Sequence, residues 1–276
     1  MSKFYHWFNS GGRRAKHVRR NVRAPSVPLH RPQDFAAMRS AGRLAAATLA
    51  MIAPLVRQGA TTRELDATCE AFIRDHGALP APLGYRGYPF ATCMSPNEVV
   101  CHGMPNDRPL AAGDLLKIDI TVELGGWHGD CCRTFAVGEI DARRRLLLEV
   151  SEAALAAGVA AVRPGGRLSA IGRAVQELVE AAGFSVVRSY CGHGIGREFH
   201  QPPQVLHHLD EDRDLTLQPG MFFTIEPMVN EGAHATRCLD DGWTVVTADG
   251  GLSAQFEHTV GVTASGVEIF TLPRPA

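Results

Sequence analysis

The chain has 276 residues, a net charge of −1 and 45% apolar residues, enough for one large domain or two small ones with a real core. No apolar run approaches the roughly 18 residues that span a bilayer, and the first residues, Met1 to Lys16, lack the apolar stretch of a secretory signal. Seven cysteines, an odd number with no C-x-x-C pair, argue against a disulfide framework or a zinc finger and predict a reducing, cytoplasmic setting.

The near-neutral charge hides an asymmetry. Residues 1–33 hold eight Lys and Arg and no Asp or Glu, which leaves −9 on the rest. They are expected to form a basic, disordered arm, proline-rich from Pro25 to Pro32. Three readings of the arm stand open: a solvated tail, an electrostatic dock onto RNA such as a ribosome surface, or an organelle transit peptide. Residues 34–276 are expected to form a single domain.

Residues 35–57, rich in Ala, Leu and Met, predict a helix stopped by Gly59. Thr61 and Glu64 are spaced as a capping box for a second helix, ended by Gly77. A Gly/Pro/aromatic loop runs from Pro80 to Phe90. Residues 115–123 alternate and are β-branched, Gly125-Gly126 turns, and 127–137 return, which predicts a hairpin. Asp119 and Asp130 are symmetric about that turn, so they share one face, opposite or diagonal. Asp141 is placed to cap a helix to about Val162, and a fourth helix should end before Gly183. The short strings Val56-Arg57-Gln58-Gly59 and Val162-Arg163-Pro164-Gly165 lie 106 residues apart, each before a helix, and suggest two similar halves. Further strands are expected at 184–188, 221–225, 243–247 and 256–263. The class is α+β, an antiparallel sheet with helices packed on one side.

Five residues in short, unusual contexts carry the chemistry: Asp119, Asp130, His193, Glu226 and Glu257. His193 and His200 lie seven apart among three glycines. Glu226 and Glu257 sit at apolar strand runs, where a carboxylate is either a strand-end solvent residue or a buried functional acid that needs a partner or a metal. Two aspartates as close as the hairpin makes them repel unless a cation lies between. Four carboxylates and one imidazole suit two divalent ions of the Mn, Fe or Co kind, with Zn also able to bind. Such a pair activates water and polarises a carbonyl together, the signature of a hydrolase. His102, on a turn, and His200 are read as hydrogen-bond donors to substrate, against the blander reading of capped loop histidines.

The strings N-E-V-V-C-H-G (97–103), I-D-I-T-V…H-G-D (118–130), C-G-H-G-I-G-R-x-F-H (191–200), T-I-E-P-M (224–228) and Q-F-E-H-T (255–259) together resemble type I methionine aminopeptidase over residues 34–270. The resemblance implies the pita-bread fold with pseudo-twofold halves, and co-translational removal of the initiator methionine from nascent chains, with small second residues preferred. It implies that Asp119, Asp130, His193, Glu226 and Glu257 are dinuclear metal ligands, with Asp130 and Glu257 bridging. It implies that Glu226 is the general base, that His102 contacts the scissile amide nitrogen, and that His200 polarises the carbonyl. The methionine pocket would comprise Tyr85, Tyr88, Cys93, Phe199 and Trp243. A monovalent-cation site would use Asn97, Val99 and Ser253. The chain departs from the pattern at Pro82, where bacterial relatives commonly carry cysteine. Two other readings on the same fold are an X-Pro aminopeptidase, which usually has a large extra N-terminal domain, and a metal-free ribosome- or nucleic-acid-binding protein, which usually loses metal ligands. A monomer is expected, since no heptad or apolar interface run is present.

Overall fold

A computed structural model describes residues 26–211 and 214–272. The hairpin is the longest β feature: β4 (Leu115–Leu124) pairs antiparallel with β5 (Trp127–Ala136). Its register places Asp119 opposite Cys132 and Thr121 opposite Asp130, so the two aspartates are diagonal neighbours on one face, as expected. Short strands extend this ladder: β1 (Leu79–Pro80) and β2 (Cys93–Pro96) flank β4.

Helix α1 (Asp34–Ile52) packs on this hairpin and buries Met38, Ala41, Ala45 and Ile52 with Ile118, Ile120 and Cys131. It ends earlier than residue 57 because Pro54 has no amide to continue the ladder, and Ala53–Leu55 tightens into a 3-10 turn. Gly129 allows the close approach. A Cβ there would strike the α1 backbone at Ala41 and Gly42. Helix α2 (Thr62–Asp75) starts with the expected capping box: the Glu64 amide donates to Thr61 Oγ1 and the Thr61 amide to Glu64 Oε2.

The second half repeats this order. Helix α3 (Ala142–Ala160) is capped by Asp141, which accepts from the Arg144 amide at 2.8 Å, and α4 (Ser169–Ala181) packs on α3. Both α1 and α3 are 19 residues long. The other strands are β3 (Val99–Cys101), β6 (Ser185–Val186), β7 (Gly192–Gly194), β8 (Gln201–Val205), β9 (Phe222–Ile225), β10 (Met228–Asn230), β11 (Thr236–Cys238), β12 (Val245–Thr247), β13 (Ser253–Gln255), β14 (His258–Val262) and β15 (Val267–Ile269). Hydrogen bonding divides them into three more ladders: β13-β10-β6, β11-β12-β3 and β15-β14-β9-β7-β8. The expected single sheet is thus four antiparallel ladders in an α+β frame. Most strands absent from the sequence reading are two to five residues long, too short for alternation to register.

The boundary expected at Asp34 moves toward the N-terminus. His30 stacks on Phe222 with ring centroids 4.3 Å apart, meets Trp127 edge-on, and donates its amide to the Gly220 carbonyl at 2.8 Å. Val27 packs against the core of the second half. Residues 1–25, most of the expected arm, lie outside the described residues.

Candidate active site

All five expected ligands and both substrate histidines line one cleft, together with Pro82, Tyr85, Tyr88, Cys93, Phe199 and Trp243. The hairpin supplies Asp119 and Asp130. Strand β7 supplies His193, the end of β9 supplies Glu226, and the turn between β13 and β14 supplies Glu257. Asp130, His193 and Glu257 each offer a ligand atom, all within 4.8 Å of one another and all buried. Asp119 shares a hydrogen bond with Asp130. Glu226 Oε1 and Asp130 Oδ2 each stand 3.7 Å from His193 Nε2.

Neighbours orient each group. Thr121 Oγ1 donates to Asp130 Oδ1 at 2.8 Å, and Thr224 Oγ1 to Glu226 Oε1 at 2.7 Å. Gln255 Nε2 donates to Glu226 Oε2 at 3.3 Å. The Glu226 amide donates to His207 Nε2 at 3.0 Å, and the Glu257 amide to the Cys132 carbonyl at 2.9 Å. The Gly194 carbonyl lies 3.1 Å from His193 Nδ1 and can only accept. The proton therefore sits on Nδ1, and the Nε2 lone pair faces the carboxylates, the tautomer a metal requires.

The electrostatics favour cations. Burial pushes Asp119 up to about 7 and Glu226 up to about 8. Burial and then the neighbouring carboxylates push Asp130 and Glu257 well above their usual range. Glu257 Oε1 is buried with no hydrogen-bond partner. A buried carboxylate oxygen without a donor, inside a ring of four acids, fits a divalent ion and little else. Burial also holds the imidazoles neutral: His193 and His102 fall to about 4, and His200 well below its usual value.

His200 packs against both Phe199 and His193, tilted to each, with 4.1 Å between ring centroids in both pairs. His102 sits in the left-handed region at φ 56° and meets Tyr190 edge-on. Tyr88, Cys93 and Trp243 form a separate buried apolar cluster with Tyr85 packed against it, and Tyr85 also contacts the Phe199 ring.

Sequence reasoning left out the orienting residues Thr121, Thr224, Gln255 and His207. Three of them lie inside the quoted strings, two residues from a ligand and so on its face of the strand. His207 carries no local signal. Lys117 likewise carries no local signal: it is buried, and burial pulls it down to about 7, opposed by Cys132, Glu98 and Cys101. Its Nζ donates to the carbonyls of Asn97 and Ser253, at 3.0 and 2.6 Å.

Comparison with known proteins agrees with this geometry. Residues 36–264 match the model of metallopeptidase family M24. The methionine aminopeptidase of Rickettsia prowazekii is 50% identical over 90% of this chain and 96% of its own length. That of Escherichia coli is 50% identical over 90% of this chain and 94% of its own. The chain belongs to metallopeptidase family M24, among its methionine aminopeptidases. The crystal structure of the Rickettsia enzyme superposes with a TM-score of 0.88, covering 90% of this chain and all of that one. The fold is therefore the pita-bread fold, and the protein is a metallo-aminopeptidase whose family uses divalent metal.

Proposed function

We propose that this enzyme removes the initiator methionine from nascent polypeptides through two divalent ions held by Asp119, Asp130, His193, Glu226 and Glu257. The observation that carries the reading is the convergence of four raised carboxylates and one neutral imidazole on a single cleft. Ions bound there would polarise the scissile carbonyl and make water nucleophilic at neutral pH.

The protein's own groups do the rest. Glu226, steadied by Thr224 and Gln255, takes the proton of the attacking water and returns it to the leaving amine. His200, neutral through burial, donates a hydrogen bond to the carbonyl oxygen as negative charge develops there. His102 holds the scissile amide nitrogen. Tyr85, Tyr88, Cys93, Phe199 and Trp243 hold the methionine side chain, and aromatic edges and a thiol suit a thioether. Pro82 lines the same mouth and sets its shape where relatives carry cysteine.

The basic arm would dock the enzyme electrostatically near emerging chains in the cytoplasm. Among the described residues no helix is long and apolar enough to cross a membrane. The test is methionine release from Met-Ala-Ser and Met-Leu-Ser by chelated protein titrated with Mn, Co, Fe(II) or Zn. Cleavage of Met-Ala-Ser over Met-Leu-Ser, only with metal, is the expected result. Folded protein that releases nothing with any metal would overturn the reading in favour of a binding role.

A further inference from the structure

Lys117 is the only lysine in residues 34–276; the other two, Lys3 and Lys16, lie in the basic arm, and the chain has 25 arginines. It is fully buried on β4, two residues before Asp119 and on the same face. Among the described residues no carboxylate forms an ion pair with it. Its Nζ instead meets two main-chain carbonyls, Ser253 at 2.6 Å and Asn97 at 3.0 Å.

That cage is rigid. Asn97 has φ 48°, its amide donates to the Leu115 carbonyl, its Oδ1 accepts from the Leu115 amide, and its Nδ2 donates to Asp114. Its carbonyl accepts from the Ser253 amide as well as from Lys117. Ser253 Oγ is buried beside it with no hydrogen-bond partner. Fixed neutral oxygens are the donor set of a monovalent-cation site, and Asn97 and Ser253 are two of the three residues expected to make one. Val99, the third, pairs with Val246 across β3 and β12. The expected ion does not fit, because an amine already occupies its ligands.

We infer that the Lys117 Nζ, seated on these carbonyls, takes the place of a bound monovalent cation, so that this enzyme needs neither potassium nor sodium. A lysine head is a compact group of rotatable donors that can sit on converging carbonyls. The planar, five-donor head of arginine cannot, which accounts for a lysine in a body otherwise served by arginine. Lys117 is a positioning residue. It pins β13 to β4, and β13 carries Gln255, which holds Glu226, and leads into Glu257. The inference uses the aminopeptidase reading only for its activity readout.

The experiment compares full-length wild type and Lys117→Gln, purified in potassium buffer and exchanged into choline, sodium or potassium chloride at equal ionic strength. Thermal midpoint and methionine release are read in each salt. Wild-type midpoints should agree within about 1 °C, far less than a saturating bound ion would add. Lys117→Gln should lose at least about 5 °C in choline, and potassium or sodium should restore at least half of the loss. Loss without selective restoration marks a merely structural lysine and overturns the inference. So does a wild type stabilised by potassium or sodium over choline. Titration of wild type with thallous ion, a potassium stand-in, keeps the test decisive if the variant does not fold: no binding is expected, and stoichiometric binding overturns the idea. Cation-restored midpoints without methionine release would uphold the inference while sinking the aminopeptidase reading.

Discussion

Chelating the divalent ions should make stability fall steeply with rising pH. Glu226 moves from 4.5 to about 8 in the folded protein and Asp119 from 3.8 to about 7, in both cases chiefly through burial. For a group whose folded value is raised, its contribution is fully present below the unfolded value and is lost as pH climbs through the folded one. The window is therefore about pH 4 to pH 8. At 1.36 kcal/mol per unit, ionising Glu226 alone costs the metal-free fold on the order of 5 kcal/mol. Asp119 adds to that by less than its separate value of about 4 kcal/mol, because the two acids feel each other. For a chain of this size such a loss lowers the melting midpoint by roughly 10–20 °C. The assay is urea or thermal unfolding of chelated and Mn-loaded protein at steps from about pH 5 to about pH 8.5. The loaded protein should hold or gain stability over that range, since metal competes with protons for the same oxygens. A chelated protein whose midpoint is flat or rises with pH would refute the claim that these acids are held in a cation-seeking site.

His207→Ala removes the acceptor of the Glu226 amide and should lower turnover or metal affinity about 10- to 100-fold, with His207→Gln recovering part in the same peptide assay. Trp243→Ala opens the apolar cluster around Tyr88 and Cys93, so KM for Met-Ala-Ser should rise about tenfold or more while kcat changes less. Gly129→Ala drives a methyl into the α1 backbone and should cost about 1–3 kcal/mol in denaturant unfolding. Deleting residues 1–25 should weaken ribosome co-sedimentation at low salt and leave peptide turnover unchanged; equal sedimentation with and without the segment would count against docking.

Which features were legible in the sequence follows from the range of the forces involved. The hairpin, the Thr61–Glu64 box and the Asp141 cap are local events, set by residues within one turn or one register, and all appear where expected. The end of α1 comes before residue 57 because Pro54, whose missing amide decides the point, outweighs the helix-forming composition around it. The tie of His30 to Phe222 and Trp127 is made across 97 or more positions of sequence, and nothing in a proline-rich, basic stretch announces it. His207 and Lys117 share that character. Each matters through a main-chain atom of a distant residue, and main-chain atoms leave no trace in composition.

The two halves explain why four acids end in one cleft. In the first half, α1 backs the hairpin β4–β5, which presents Asp119 and Asp130 on diagonal positions. In the second, α3 packs on β13 and meets β9, and β9 pairs with β14 so that Ile225 joins His258. Glu226 and Glu257 are the next residues outward from that pair, one at the end of each strand. Each half thus delivers two carboxylates from one antiparallel pair, a construction that on its own would leave two like charges buried and unpaired. Facing the halves doubles the repulsion, and bringing in His193 as a neutral ligand does not relieve it. With these acids ionised the arrangement is stable only when positive charge lies between the halves, so the same symmetry that repeats the fold also creates the demand for metal near neutral pH.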